Sequence, residues 1–237
     1  MNLRINHIFL LLFIINSFLQ AQQSFVVEYE SSYIIQFLGS GENKASQSFS
    51  QSDFYELQIN DKQSFYTKID KINNSQGGSS IMMSGFLPKN LFLDFEQNIQ
   101  KREWEVEAKK YIVVDSILTE KYQLTREKST YLGYNVKQAI RETEYGKIVI
   151  WYAPDLPAKF GPSNYINLPG LVLKVESYGK DSNEVTFSLK ATSIKIKDKL
   201  KLGQLFKGKE VNATEFEKIE EEYNNRFKAY PLGVDKS

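Results

Sequence analysis

Alternation of apolar and polar residues at every second position is the feature that most constrains how this chain can fold. Val185, Phe187 and Leu189 alternate with polar residues in one segment, and Val27 and Tyr29 alternate with glutamates in another. Successive side chains of a strand point to opposite faces, so this pattern predicts half-buried β-strands. Further strands are expected over 53–59, 63–69, 91–96, 102–108, 111–115, 122–128, 134–142, 147–152 and 171–176. With short polar turns between them, these segments predict a mainly β fold, a curved antiparallel meander or half-barrel.

Three other segments depart from the alternation. Residues 147–152 are apolar on both faces, which predicts a central strand. Residues 39–52 and 73–80 are rich in Ser, Gly, Asn and Gln and poor in aliphatic residues, so we expect mobile loops there.

The carboxyl-terminal region has helical rather than strand periodicity. Thr214 and Glu217 have the spacing of a capping box, and acidic residues crowd the first turns that follow. The pattern predicts a helix over about 214–228, which either packs on the sheet, the interpretation we favour, or binds a partner. Its apolar stripe consists of Phe216, Ile219, Tyr223 and Phe227.

The amino terminus has the three parts of a secretory signal peptide. Arg4 supplies the positive charge, residues 8–15 are apolar, and Ala21 is the small residue before cleavage. The apolar run is shorter than the roughly 20 residues of a membrane-spanning helix, although a retained anchor is the alternative. We therefore expect a signal peptide over 1–21 and one domain over 22–237. The mature protein would lie in the periplasm or against the outer membrane, with no membrane span and, since no cysteine follows the cleavage point, no lipid.

Composition removes most catalytic chemistry from the mature chain. The one histidine, His7, lies in the signal peptide, and the chain has no cysteine. Histidine-dependent triads, thiol nucleophiles, disulfides, and zinc, haem or iron–sulfur sites are therefore not expected, and neither is a metal or other cofactor. Carboxylate or lysine chemistry remains available. Without Arg4 the mature chain has 29 basic and 29 acidic residues, which argues against a nucleic-acid partner.

Residues 151–173 form the most informative segment. Four of the six prolines of the chain fall here, and each removes an amide donor and fixes φ, so the segment is neither helix nor central strand. It must be a long, stiff loop, which either plugs one end of the β core or binds a ligand. The candidate binding residues are Trp151, Tyr152, Phe160 and Tyr165. Within this loop Pro169-Gly170 fits the centre of a type II turn, with Leu168 and Leu171 flanking it and facing the core.

Two charged constellations have alternative interpretations. Lys195, Lys197, Lys199 and Lys201 occupy every second position, so they either protect an edge strand or bind an anionic lipid or glycan. The second constellation is a set of five acidic residues. We interpret it as the solvated face of strands, with paired-carboxylate catalysis or cation binding as the alternative. This set consists of Asp94, Glu96, Glu103, Glu105 and Glu107.

The proline-rich segment resembles the signature of a known family. The stretches WYAPDLP at 151–157, FGP at 160–162 and NLPGLV at 167–172 resemble the GLPGLI family, exported proteins of Gram-negative bacteria, as does LGYNVKQA at 132–139. The residues that carry the motif are Pro154, Pro157, Gly161, Pro162, Leu168, Pro169, Gly170 and Leu171. Asn167, Val172 and Val136 depart from the pattern, with Val136 replacing a common cysteine. The resemblance implies an envelope location and a β-rich fold, and the family has no established activity.

Two classes of function remain open from the sequence. The first is a non-catalytic envelope module, a binding, carrier or accessory protein for an apolar ligand or a protein partner, similar in fold to the periplasmic lipoprotein carriers. The second is a hydrolase that uses carboxylates or lysine. An apolar pocket would favour binding, and two facing carboxylates would favour glycoside hydrolysis. We expect the binding module and no enzyme.

Overall fold

The computed structural model describes residues 23–37, 47–71, 89–180, 183–202 and 206–228. The predicted signal peptide and the polar segment 73–80 lie outside the described residues. Within the described part, no helix has both the length and the apolarity needed to cross a membrane.

The described residues form one twelve-stranded sheet and one helix, which confirms the predicted fold class. The strands are β1 Ser24–Phe37, β2 Gln47–Ile59, β3 Gln63–Ile69, β4 Asn90–Asp94, β5 Ile99–Val106, β6 Lys109–Ser116, β7 Gln123–Tyr131, β8 Tyr134–Thr143, β9 Gly146–Ala153, β10 Leu171–Gly179, β11 Val185–Lys197 and β12 Lys209–Asn212. The helix α1 spans Ala213–Lys228. Every segment predicted as a strand lies in one of these strands, within a few residues at its ends.

The order of strands across the sheet is β12-β6-β5-β4-β3-β2-β1-β11-β10-β9-β8-β7. Two meanders, β1 to β6 and β7 to β11, are joined where β1 pairs with β11. The edge pair of β12 with β6 is parallel, because β12 reaches the sheet through a crossing segment rather than a hairpin. Strand β9 pairs on both sides, so its predicted central position is confirmed.

The sheet is strongly curved, and a buried core lies against one face. The hydroxyl of Tyr131 at the end of β7 donates to the carbonyl of Ala191 in β11, at 2.9 Å. Four strand spacings separate these strands in the sheet, about 19 Å if the sheet were flat, which is far beyond the reach of one tyrosine. A second hydrogen bond between strands that are not neighbours runs from the Tyr29 hydroxyl in β1 to the carbonyl of Val172 in β10, at 2.6 Å.

The prediction of a loop over 39–52 is wrong for residues 47–52. These residues lie in β2, where they pair with the end of β1 from Ser32 to Phe37. Backbone hydrogen bonds to an extended neighbouring strand form whatever the side chains are, so the polar composition did not prevent a strand here.

Helix α1 packs on the end of the sheet, as the apolar stripe predicts. Phe216 is 5% exposed, and its ring lies 5.9 Å from the rings of both Trp104 and Tyr111, while Ile219 packs at the rim of the same cluster. The side chain of Phe227 lies outside the described residues.

The predicted helix cap is displaced by two residues. Asn212 caps α1, because its side-chain oxygen accepts the backbone N–H of Glu215 at 2.8 Å. Thr214 already lies within the helix. An Asn to Glu spacing of three satisfies the same capping geometry as Thr214 and Glu217, and the end of strand β12 at Asn212 decides between them.

Candidate functional site

The proline-rich loop between β9 and β10 is held by its own backbone hydrogen bonds. The amide of Leu171 donates to the carbonyl of Leu156 at 2.9 Å, and the amide of Asn167 donates to Lys159 at 2.8 Å. The loop therefore closes on itself and joins the core through its apolar side chains. The buried loop residues are Leu156, Ala158, Phe160, Gly161, Pro162, Ser163, Ile166, Leu168 and Gly170.

The turn at Pro169-Gly170 differs from the predicted type II turn. The amide of Gly170 donates to the carbonyl of Leu168 at 2.9 Å, two residues back, which is a γ-turn centred on Pro169. Gly170 has a φ of 151°, so a positive φ is present as expected, and a Cβ there would lie 2.2 Å from the carbonyl oxygen of Ala153. Leu168 and Leu171 face the core, which confirms that part of the prediction.

Asn167, two residues before Pro169, has a φ of 62°. Asparagine tolerates this left-handed conformation better than most residues, so the loop reverses its direction here without a glycine.

The four predicted binding residues are not all available to a ligand. Tyr152 and Phe160 are each 3% exposed, and the ring of Phe160 lies 4.5 Å from that of Phe95, so both belong to the core. Neither side chain presents a surface to a ligand, because the loop folds inward over the sheet, and a binding role for these two stays a prediction. Trp151 and Tyr165 are half-buried, and both pack against the core.

Tyr165 belongs to a group of tyrosines that the fold brings together, which we call the tyrosine cluster. Two come from β1, one each from β2 and β3, one precedes β7 and one lies in the loop. The members are Tyr29, Tyr33, Tyr55, Tyr66, Tyr122 and Tyr165. The rings of Tyr55 and Tyr66 stack with centroids 4.9 Å apart and planes 5° from parallel. Tyr33, Tyr122 and Tyr165 are half-buried, and they connect the buried members to the surface.

The hydroxyl of Tyr66 is the most unusual group in the cluster. Tyr66 is 1% exposed, and its hydroxyl has no hydrogen-bond partner among the described residues. Burial, and then the nearby hydroxyls of the other tyrosines, raise its pKa well above the usual value. A buried hydroxyl without a partner costs about 1–3 kcal/mol of stability, and at 1% exposure it lies out of reach of a ligand at the surface.

A charged pair borders the exposed end of the cluster. Arg141 on β8 lies 2.8 Å from the carboxylate of Glu120, and the Nε of Arg141 is buried without a hydrogen-bond partner in the described structure. Burial raises the pKa of Tyr122 and that of Tyr165 to about 12, although the guanidinium of Arg141 acts in the opposite direction on both. The hydroxyl of Tyr122 donates to the carbonyl of Asn164 at 3.4 Å, which ties the cluster to the loop tip.

These properties suit binding better than acid–base catalysis. Phenols with raised pKa values stay protonated near neutral pH, so they are poor bases and act as hydrogen-bond donors and acceptors with apolar faces. Of the cluster, the sequence predicted only Tyr165 as a binding residue and missed the other five. The one signal for them was the placement of Tyr29 and Tyr33 on the same face of a strand, which does not reveal Tyr66 or Tyr165 as neighbours.

The candidate carboxylates lie apart from this cluster, and two of them are not on a solvated face. Asp94 is 3% exposed and accepts a hydrogen bond from Gln63 at 2.7 Å, and Glu103 is 7% exposed and accepts from Asn90 at 2.9 Å. Lys110 also lies 3.4 Å from Glu103. These acids are buried because polar partners on neighbouring strands satisfy them, so the predicted solvated face is wrong there. The remaining acids, Glu96, Glu105 and Glu107, are exposed.

The described acidic residues nowhere gather in a group of three that could hold a metal ion.

Comparison with known proteins gives a family and a fold. A family model described as "N-glycanase peptide, N-terminal domain" matches residues 93–219, more than half of the 237 residues. Two structures of PNGF-II, in the C2 and P21 space groups, align with TM-scores of 0.55 and 0.54 at 21% and 23% identity. Each alignment covers 83% of this chain but only 32% and 33% of the PNGF-II chain, so this chain spans about a third of that protein. No curated protein sequence matches the chain significantly.

Proposed function

This chain belongs to the family described as "N-glycanase peptide, N-terminal domain", and from that premise we propose that it is a non-catalytic accessory module that binds glycoproteins. The glycan would contact the tyrosine cluster, and the protein part would contact the adjoining loop tip at Asn164 and Tyr165. The observation that carries this proposal is that the fold gathers the half-buried tyrosines Tyr33, Tyr122 and Tyr165 at the exposed end of the cluster, beside the ion pair of Arg141 with Glu120.

The chemistry of the cluster matches that of a sugar. Sugars present both apolar C–H faces and many hydroxyls, and tyrosines offer aromatic faces together with hydroxyls that donate and accept. Arg141 and Glu120 add planar polar groups at the exposed end. Sites that combine aromatic side chains with a few placed polar groups are typical of small-ligand recognition.

The proposal is tested by two tyrosine variants that each remove one hydroxyl of the cluster. Tyr165→Phe removes a hydroxyl at the half-buried end, so it should lower affinity for a glycoprotein about fivefold, the worth of one hydrogen bond. Tyr29→Phe is the control, because Tyr29 is fully buried and its hydroxyl already donates to Val172 at 2.6 Å. That variant should lower stability and leave the affinity unchanged.

The measurement is titration of an N-glycosylated protein and of the same protein after its glycans have been removed. The glycosylated form should bind more tightly. Equal affinity for the two forms, or equal loss in the two variants, would contradict the glycan role of the cluster. Release of glycan by this chain alone would refute the non-catalytic part of the proposal.

We also propose that the protein acts outside the cytoplasm, from the predicted signal peptide over 1–21 and the resemblance to the exported GLPGLI family. Cleavage after Ala21 places Gln22 at the new amino terminus. Amino-terminal sequencing of secreted material tests this, and an intact Met1 on the folded protein would rule it out.

A further inference from the structure

Protection of a sheet edge accounts for only part of the lysines Lys195, Lys197, Lys199 and Lys201, which we call the lysine strip. Strand β11 pairs with β1 as far as Lys197, but its pairing with β10 ends at Lys190, so the end of β11 that carries Lys195 and Lys197 has one open side. The strand ends at Lys197, and Lys199 and Lys201 follow it in the segment that crosses toward β12. Edge protection therefore fits Lys195 and Lys197 but does not explain Lys199 and Lys201.

The strip is exposed and only weakly neutralised. Lys195 lies 3.8 Å from Glu28, whose other partner is Lys71, and Lys197, Lys199 and Lys201 have no carboxylate at ion-pair distance in the described structure. Some other described lysines are paired, as Lys62 is with Glu96 and Lys174 is with Glu176, whereas the strip places several lysines without such a partner close together in one row. The only carboxylate within the strip is the exposed Asp198.

The body of the protein holds the strip in place. The side-chain amide of Asn60 donates to the carbonyl of Leu200 at 3.4 Å, and Leu200 and Leu202 are half-buried while the lysines between and before them are exposed. At the rise of an extended chain the strip is about 20 Å long. It is therefore a row of positive charges in which Leu200 and Leu202 point partly inward while Ile196 is 47% exposed.

We propose that the lysine strip docks the protein on an anionic lipid surface. Ile196 lies between two of the lysines and is 47% exposed, so the strip offers an apolar side chain that would enter the headgroup region of a bilayer beside its charges. A nucleic-acid-binding protein usually has a basic excess, whereas the whole chain has a formal net charge of only +1. A lipid surface requires only a local row of charges, and each lysine near it strengthens binding about fivefold. This inference does not rest on the proposed glycoprotein binding.

The test compares two triple variants with the same change in net charge. Lys197→Gln, Lys199→Gln and Lys201→Gln together remove most of the strip. The control replaces Lys128, Lys180 and Lys218, three exposed lysines on other elements, by glutamine. Binding is measured by co-sedimentation with vesicles of phosphatidylcholine, with or without phosphatidylglycerol.

The wild-type chain should bind only the vesicles that contain phosphatidylglycerol, and added salt should weaken this binding. The strip variant should bind them about 100-fold more weakly, from the loss of three lysines, and the control variant should bind nearly as tightly as the wild type. The strip variant should also melt no lower than wild type, because repulsion between like charges is relieved. Tyr165→Phe, which tests the glycoprotein proposal, should leave vesicle binding unchanged.

Three results would overturn the proposal. The first is equal binding to vesicles without phosphatidylglycerol. The second is an equal loss of vesicle binding in the control variant, since net charge alone would then explain the binding. The third is binding to soluble polyglutamate or heparin that is as tight as binding to vesicles and competes with it fully. That result would assign the strip to a soluble polyanion instead.

Discussion

Replacing Gly170 by alanine tests the close backbone approach at the end of the proline-rich loop. A Cβ at this position would lie 2.2 Å from the carbonyl oxygen of Ala153 and 2.8 Å from the Cα of Pro154. Both contacts are with backbone, so the strand end or the loop must move to admit a methyl group. The φ of 151° is a second source of strain for any residue with a side chain.

Gly133 is the matched control for this substitution. It lies in the turn between β7 and β8 with a φ of 81°, and a Cβ there would meet nothing within 4 Å. Gly133→Ala therefore carries backbone strain alone, about 1–3 kcal/mol. Gly170→Ala adds the cost of overpacking, another 1–3 kcal/mol or so, for a total of about 2–6 kcal/mol.

The difference is measured by urea unfolding and by thermal melting. In a domain of this size 1 kcal/mol corresponds to roughly 2–4 °C, so Gly170→Ala should melt several degrees below Gly133→Ala. If the two variants are equally stable, Gly170 is required only for its φ, and the close approach to Ala153 does not constrain the fold.

Three further predictions concern the loop, the helix and acid stability. Phe160→Ser should cost about 3–5 kcal/mol, since Phe160 is 3% exposed, whereas Tyr165→Ser should lower glycoprotein affinity more than stability; unfolding curves and titrations distinguish them. Asn212→Ala should lower the free energy of unfolding by about 0.5–2 kcal/mol through loss of the cap, and Thr214→Ala should be nearly neutral. Equal destabilisation of the two variants would instead indicate that Thr214 caps the helix. Burial alone would raise the pKa of Asp94, but hydrogen bonds from a side-chain amide and two backbone amides hold it below its usual value. The stability that Asp94 contributes should therefore be present above about pH 4 and be lost as the pH falls through its lowered pKa, and Asp94→Asn should flatten that part of a stability–pH curve.

The sequence by itself determined the elements that depend on local pattern. Alternation located the strands, helical spacing located α1, and the double-faced apolar run at 147–152 identified β9 as central. The prolines identified the loop after β9, and the glycine at position 170 indicated a positive φ there. These predictions succeeded because a strand or turn is decided by the side chains and backbone freedom of a few consecutive residues.

Only the tertiary structure decided which elements are neighbours. Periodicity reports that a residue faces the core but not which strand lies beside it, so the position of β11 between β1 and β10 and the strand formed by 47–52 were not predicted. The tyrosine cluster has the same origin, because Tyr29, Tyr66 and Tyr165 are far apart in sequence and meet only when the sheet curves and the loop folds onto it. Phe160 became a core residue for the same reason. Long-range pairing and curvature arise from the summed packing of the whole chain, and no local segment of the sequence records them.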